Sequence, residues 1–392
     1  MLAPVRDASG AVNGLPPQLG LTTRQLDTEP LAVWQELRAH SPVAYVPGLS
    51  LTLVTRYDDV ERVCRDAAFF GAQTPDGPLT QTLGPNFMHA DGAAHGETRQ
   101  LVVPLLRARA LRGRHEGWLR AMARDLAARL ALRTGFDVMA DYAHPLAVAL
   151  LSRITGVQAS EQTYERWFRA LSAGASNFEN DPDKQAGADT VCAEIDEAVA
   201  RSARDARGSG LVSILTEHGC RLAMIASTMK LCIIGGLQEP RDLLGFCVLG
   251  LIESGRWVPD VAQDRRLPRA IEEAARWGSP VGTATRTVVA DTTLAGYLLP
   301  AGTRVAAVLA SANHDPRRWH QPQRFDPDRR EGAHVAYGSG PHTCVGAAAA
   351  RLLVRIAVEE LARGCGDLRV AEPPEIRGFE FRGPIRVLLG TG

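Results

Sequence analysis

Cys344 stands in AYGSGPHTCVGAAAARLLVRIAVEELA (336–362), bracketed by Gly338, Gly340 and Gly346, where a loop runs into a helix that starts on small residues. A helix N-terminus favours thiolate, the form of cysteine that binds metal or attacks carbon. On the residues alone three readings stay open: a small core side chain, a nucleophile, or a metal ligand. No histidine and carboxylate partners for a nucleophile announce themselves, while Gly346 and the alanines 347–350 leave room for a flat ligand near the backbone. A second stretch, LCIIGGLQEPRD (231–242), breaks an apolar run with Gly235, Gly236, Gln238, Glu239 and Pro240 before LLGFCVLGLI (243–252) resumes it. A carboxylate is costly to bury unpaired, and an interior proline costs a helix roughly 3 kcal/mol. Two such costs side by side mark a site.

The elements around these stretches read as one mainly α domain with small β-sheets spanning 1–392, with 1–20 as a loose, Pro- and Gly-rich N-terminal segment. A helical period over 30–46 stops before Ser41-Pro42, LSLTLVTRY (49–57) alternates like a strand, and DDVERVCRDAAFF opens on an acidic N-cap. Residues 71–87 and 174–190 read as loops, 93–173 as mostly helix, 191–206 and 266–277 as helices, and 285–311 as short strands. Lys+Arg and Asp+Glu balance at 44 each, so no global charge draws the chain to nucleic acid or an anionic membrane. No apolar run approaches the ~18 residues of a membrane span, and the N-terminus lacks the apolar core of a signal peptide. Seven cysteines, odd in number and unpaired in spacing, argue against a disulfide framework, so a cytoplasmic protein is expected.

YGSGPHTCVG (337–346) resembles the haem-ligand signature of the cytochrome P450 monooxygenases, Phe-x-x-Gly-x-His/Arg-x-Cys-x-Gly, with Tyr337 in place of the phenylalanine. Further marks of that family follow in order: His95 and Arg99, the Glu273-x-x-Arg276 pair, and Phe325, Asp326 and Arg329 before the cysteine loop. The resemblance implies the P450 fold, a triangular molecule with a long central helix over the haem. It implies haem b with Cys344 as axial thiolate, and Tyr337, Gly338 and Gly346 shaping the ligand loop. Arg99, Arg286, His342, His95 and His334 are expected on the haem propionates, since charge-assisted hydrogen bonds suit anions. Glu273, Arg276 and Arg329 are expected to form a structural ion network. The partners implied are O2, a small-molecule substrate, and a ferredoxin or a flavin/iron–sulfur reductase bringing electrons from NAD(P)H. Arg107, Arg109, Arg112 and Arg114 fall where the family meets such a partner, and read equally well as a solvated helix end.

The central helix departs from the family pattern. Where the family has an acid and an alcohol that relay protons to the oxygen side of the haem, this chain has Gln238 and Glu239, followed by Pro240. Gly235 and Gly236 are expected to open the helix beside the iron, and Pro240 leaves the carbonyl of Gly236 without its main-chain donor. Glu239 can carry a proton if burial lifts its pKa, and Gln238 can orient water; a structural contact for Glu239 is the plain alternative. The Gln-Glu-Pro run, with PAGT (300–303), SANHD (311–315) and FRGP (381–384), resembles a subgroup of aromatic O-demethylases acting on guaiacol-type compounds. By that resemblance Phe381 is a pocket aromatic, while Ala175 and Leu83 replace two pocket rings and enlarge the space. Four functions follow from these residues: O-demethylation of a methoxy-aromatic, a natural-product tailoring oxidation, peroxygenase chemistry with Glu239 as acid–base, and a non-catalytic haem protein.

Overall fold

The computed structural model describes residues 14–391 apart from 29, 206–209 and 258–265. Most of the N-terminal segment expected to be loose lies outside these. Its described end is tied down: Tyr45 N donates to Pro17 O and Leu19 N to Tyr45 O, both at 2.9 Å.

Helices dominate, as the apolar periodicity requires, and they surround the 32-residue helix Leu222–Glu253. That helix is long and apolar enough to cross a bilayer, contrary to the expectation from run length. It is instead a core element, packed against the helices His144–Thr155, Glu161–Ala175, Pro182–Arg204, Leu267–Gly278 and Ala347–Cys365. It continues through Pro240 without a break. The reason lies in the next turns, where Leu243–Leu251 are buried at every position. Each large apolar side chain fully buried is worth about 1.5–3 kcal/mol, so this run outweighs the proline.

A five-stranded sheet flanks the helical body in the spatial order Val43–Val46, Leu51–Val54, Arg304–Ala307, Ala284–Val288, Phe70–Gly71. One pair in it is parallel, Thr52 opposite Val305, and the others are antiparallel. Three expectations on elements are corrected. The helix Pro182–Arg204 begins inside the stretch read as a loop, because Asp181 Oδ1 caps Asp183 N at 2.9 Å and Pro182 sits at the first helical position. The loop at 71–87 contains a helical turn, Pro78–Leu83. The helix Tyr57–Arg65 is preceded by Arg56, and Asp58 and Asp59 occupy its first turn without capping it.

The expected ion network is buried at the far end of Leu267–Gly278. Arg276 donates from Nε and Nη2 to both oxygens of Glu273 at 2.7 Å, and Arg329 Nε donates to Glu273 Oε1 at 3.0 Å. Arg276 Nη1 also donates to Asn313 O and Pro322 O at 2.8 Å, and Asp326 N donates to Glu273 Oε1 at 2.9 Å. The network thus clamps the backbone of 313–326, the segment that leads to the cysteine loop. Removing one partner strands a buried charge. Glu273→Ala is therefore expected to lower stability by about 3–5 kcal/mol in chemical denaturation; a change below about 1 kcal/mol would contradict this role.

Candidate active site

Cys344 sits just before the helix Ala347–Cys365, held by its N–H donating to Tyr337 O at 2.8 Å. Gly338 and Gly340, at φ +70° and +73°, make the turns of the loop, and a side chain at Gly340 would meet Arg65 Cα and Cys64 O at 2.9 Å. Burial raises the thiol pKa, the N–H groups of Gly346 and Ala347 lower it, the carboxylate of Glu239 raises it, and Arg99 lowers it. Cys344 is also exposed by surface area. Exposure and burial agree only for a side chain that lines an internal space.

The facing wall of that space is the central helix. Gly235, in the middle of a buried helix, is exposed, and a Cβ on it would lie 3.9 Å from Glu239 Oε1. Cys232, one turn earlier, feels the charge of Cys344 and is pushed up to about 12, chiefly by burial. Cys232, Gly235 and Glu239 therefore share the face toward Cys344, at helical spacing. Glu239 Oε2 is buried without a hydrogen-bond partner. Burial, with a smaller push from Asp242, lifts its carboxyl to about 8.

Two neighbours behave otherwise than expected. Gly236 does not open the helix toward the site: a Cβ there would meet Leu151 Cδ1 at 2.9 Å, so the glycine serves helix packing. Gln238 lies beside Asp242, one turn on, where it partly offsets the rise that burial gives that carboxyl. Asp242, passed over in the sequence, is fully buried and paired to Arg241 Nη2 at 2.8 Å. An Arg-Asp pair inside an apolar helix was the available signal.

A cationic cluster closes one side. His95 and His342 lie with ring centroids 4.2 Å apart, and Arg286 lowers the pKa of both after burial has done so, His342 to about 4. Arg99 adds to the depression at His95 and donates to Thr343 O. Asp91 Oδ1 is 3.2 Å from His342 Nε2. The sequence reading missed His89, whose two ring nitrogens are buried without partners and whose pKa burial takes to about 4, with Arg286 adding. His95 Nε2 is also without a partner. The expected His334 does not join: its Nε2 is 3.3 Å from Glu272 Oε2, beside Arg351. Glu272 is a salt-bridged carboxylate, and it takes the imidazole away from the cluster.

Of the remaining expected residues, Tyr337 lies under the Arg351 guanidinium at 4.4 Å, with its hydroxyl buried and unpartnered. Phe381 is partly exposed and packs against the main core. Leu83 is 0% exposed and Ala175 6%, so neither opens a larger pocket; both are covered by the packing of their own helices. Among the described residues no cluster of histidine, cysteine and carboxylate fit to hold a metal by itself is present.

The sequence profile described as "Cytochrome P450" matches residues 260–363, which include the ion network and Cys344. Over 359 residues the chain is 33% identical to Cytochrome P450 107B1 of Saccharopolyspora erythraea, covering 86% of this chain and 87% of that one. The chain belongs to the cytochrome P450 family. It is also 30% identical over 381 residues to the Cytochrome P450 monooxygenase PikC of Streptomyces venezuelae, covering 91% and 88%. The structure of CYP109E1 from Bacillus megaterium in complex with testosterone superposes with a TM-score of 0.85 over 95% of this chain; at 24% identity this bears on the fold alone.

The protein is thus a haem-iron oxidoreductase of a monooxygenase family whose members work with redox partners. The residues present fit that group. Unpartnered buried imidazoles beside Arg99 and Arg286 suit two carboxylates, and Cys344 offers a thiol across from Glu239. His89→Leu is expected to weaken haem retention about tenfold, the worth of one charge-assisted bond, with the apoprotein melting point unchanged. Unaltered haem titration would place His89 outside the cradle.

Proposed function

We propose that the chain is a haem-thiolate monooxygenase of a small organic substrate, with Cys344 as axial ligand and Glu239 as the proton-carrying group. The observation that carries the reading is Glu239 Oε2, buried without a partner on the helix face toward Cys344. When bound, thiolate-ligated haem supplies the activation of O2 for inserting one oxygen atom. The chain's own part is to hold and move the proton. A carboxyl at about 8 is protonated at neutral pH and can donate, then regain its proton. Asp242, ion-paired to Arg241, adds negative potential that keeps Glu239 protonated.

Electrons from NAD(P)H would reach the site through a ferredoxin or a flavin/iron–sulfur reductase. The exposed Arg107, Arg109, Arg112 and Arg114 offer an acidic partner a docking surface. O-demethylation of a methoxy-aromatic is the narrower reading, supported by the Gln238–Pro240 run and the partly exposed Phe381. Against it, residues in two of the shared stretches are bonded into the scaffold: Ser311, Asn313 and Asp315 bond Arg38, Ser279 and Tyr57 N, and Arg382 donates to Gly278 O. Formaldehyde released from methoxyphenols supports demethylation, and its absence from substrates that shift the haem spin state removes it. Turnover with hydrogen peroxide and no reductase would favour the peroxygenase alternative.

The sign of the pH dependence follows from the direction of the shift. Glu239 is raised from 4.5 to about 8, so its proton is present below that value and lost as pH rises through it. Wild-type turnover is expected to fall above about pH 8. Glu239→Gln should be about a hundredfold slower and lack that alkaline limb. An unchanged rate and profile in Glu239→Gln would remove Glu239 from the chemistry.

A further inference from the structure

Asp242 is fully buried and only half satisfied. Its Oδ1 accepts from Arg241 Nε at 2.9 Å and Nη2 at 2.8 Å, while Oδ2 has no partner. It stands one turn from Glu239, whose Oε2 is likewise buried without a partner. Residues three apart on a helix are neighbours, so the two open oxygens belong to one region. Two carboxyl oxygens left unpaired in an apolar interior are costly, and the pair calls for a use.

The course of the neighbouring helix decides what lies on the outer side of this pair. Leu151 meets Gly236 and Met139 meets Gly245, so the chain from Met139 through the helix His144–Thr155 runs antiparallel to the central helix. In that register His144 falls opposite Arg241. Arg241 accordingly lowers the pKa of His144, after burial has done so and against the pull of Glu165. Another edge of the imidazole meets the helix Glu161–Ala175: Nε2 is 3.5 Å from Glu165 Oε2 and 3.7 Å from Glu161 Oε1. Arg169 Nε donates to Glu165 Oε1 at 2.6 Å, which leaves Oε2 to the imidazole. Side-chain exposure rises along this line, from 0% at Asp242 and 14% at His144 to 25% at Glu165 and 47% at Glu161. Titratable groups thus reach from solvent to the turn that carries Glu239, through an interface that is otherwise apolar. The amide of Gln238 offers no acid of its own for such a supply.

We propose that Glu161 and Glu165, His144 and the Arg241–Asp242 pair form the route by which Glu239 regains its proton from solvent. The proposal rests on the reading of Glu239 as the proton carrier, and adds where its protons come from. Arg241 stays charged and holds Oδ1, keeping Oδ2 free. A proton taken up at His144 passes to Asp242 and from there to Glu239 Oε2. Each step breaks one N–H or O–H bond as another O–H bond forms, and changes no oxidation state. His144, Arg241 and Asp242 act through Glu239 and are positioning residues.

The test reads the Glu239 carboxyl directly. In the ferric, haem-loaded protein at neutral pH its protonated-carboxyl infrared band is assigned by its loss in Glu239→Gln, and the shift of that band is timed after mixing into D2O. His144→Phe is expected to slow the exchange at least about tenfold, with amide exchange and melting point unchanged. Asp242→Asn should slow it likewise; if that variant folds poorly, His144→Phe decides alone. Exchange as fast in His144→Phe as in the wild type overturns the proposal, as does a wild type with no band that Glu239→Gln removes. If Glu239→Gln slows turnover while His144→Phe exchanges like the wild type, the route fails and the reading of Glu239 stands. If His144→Phe slows exchange while Glu239→Gln turns over like the wild type, the route stands and Glu239 leaves the chemistry.

Discussion

The bidentate pair between Arg276 and Glu273 is the constraint on which the rest of the site depends. Its value lies less in its own energy than in what the two side chains hold after satisfying each other. Arg276 takes Asn313 O and Pro322 O, and Glu273 takes Asp326 N and Arg329. Asn313 Oδ1 then accepts from Val335 N at 2.9 Å, Gly338 N donates to Val335 O at 2.8 Å, and Cys344 N donates to Tyr337 O at 2.8 Å. A loop without regular structure is thereby fixed by bonds traceable to one ion pair. The thiol reaches the helix N-terminus in a set position because that loop has little freedom left.

The central helix meets this loop with an opposite economy. Its C-terminal half is apolar and closely packed; a Cβ on Gly250 would meet Phe325 at 2.4 Å, so even the meander is pressed against it. That packing lets the preceding turn carry a proline, a glycine open to the interior and a carboxylate without a partner. Glu239 stays neutral because burial and Asp242 both disfavour its charge. The same principle acts at the cationic cluster, where burial and Arg286 hold His89 and His342 neutral.

The fold class and Cys344 were legible in the sequence because they rest on local order: helical periodicity, glycines at turns, and motifs a few residues long. The face of the central helix was legible in part. Glu239 was read as a buried carboxyl and is one, whereas Gly236, read as opening the helix, packs against Leu151, a residue far away in sequence. His334 lies with Glu272 and His89 lies by Arg286 for the same reason, since the position of Glu272 decides the first and no spacing rule announces the second. Leu83 and Ala175 were judged by alignment to pocket positions, yet pocket walls are set by how helices pack. Asn313 and Arg382, in stretches that suggested a substrate, are bonded into the scaffold. Sequence identity at brackets reports the frame and says little about what is oxidised.

The most direct test of the account is the carbon monoxide difference spectrum of the reduced, haem-loaded protein beside Cys344→Ser. The account predicts the band of thiolate-ligated haem in the wild type and its loss in Cys344→Ser, with the fold kept. A thiolate band that persists in Cys344→Ser, or a wild type that binds haem and never shows one, would contradict it.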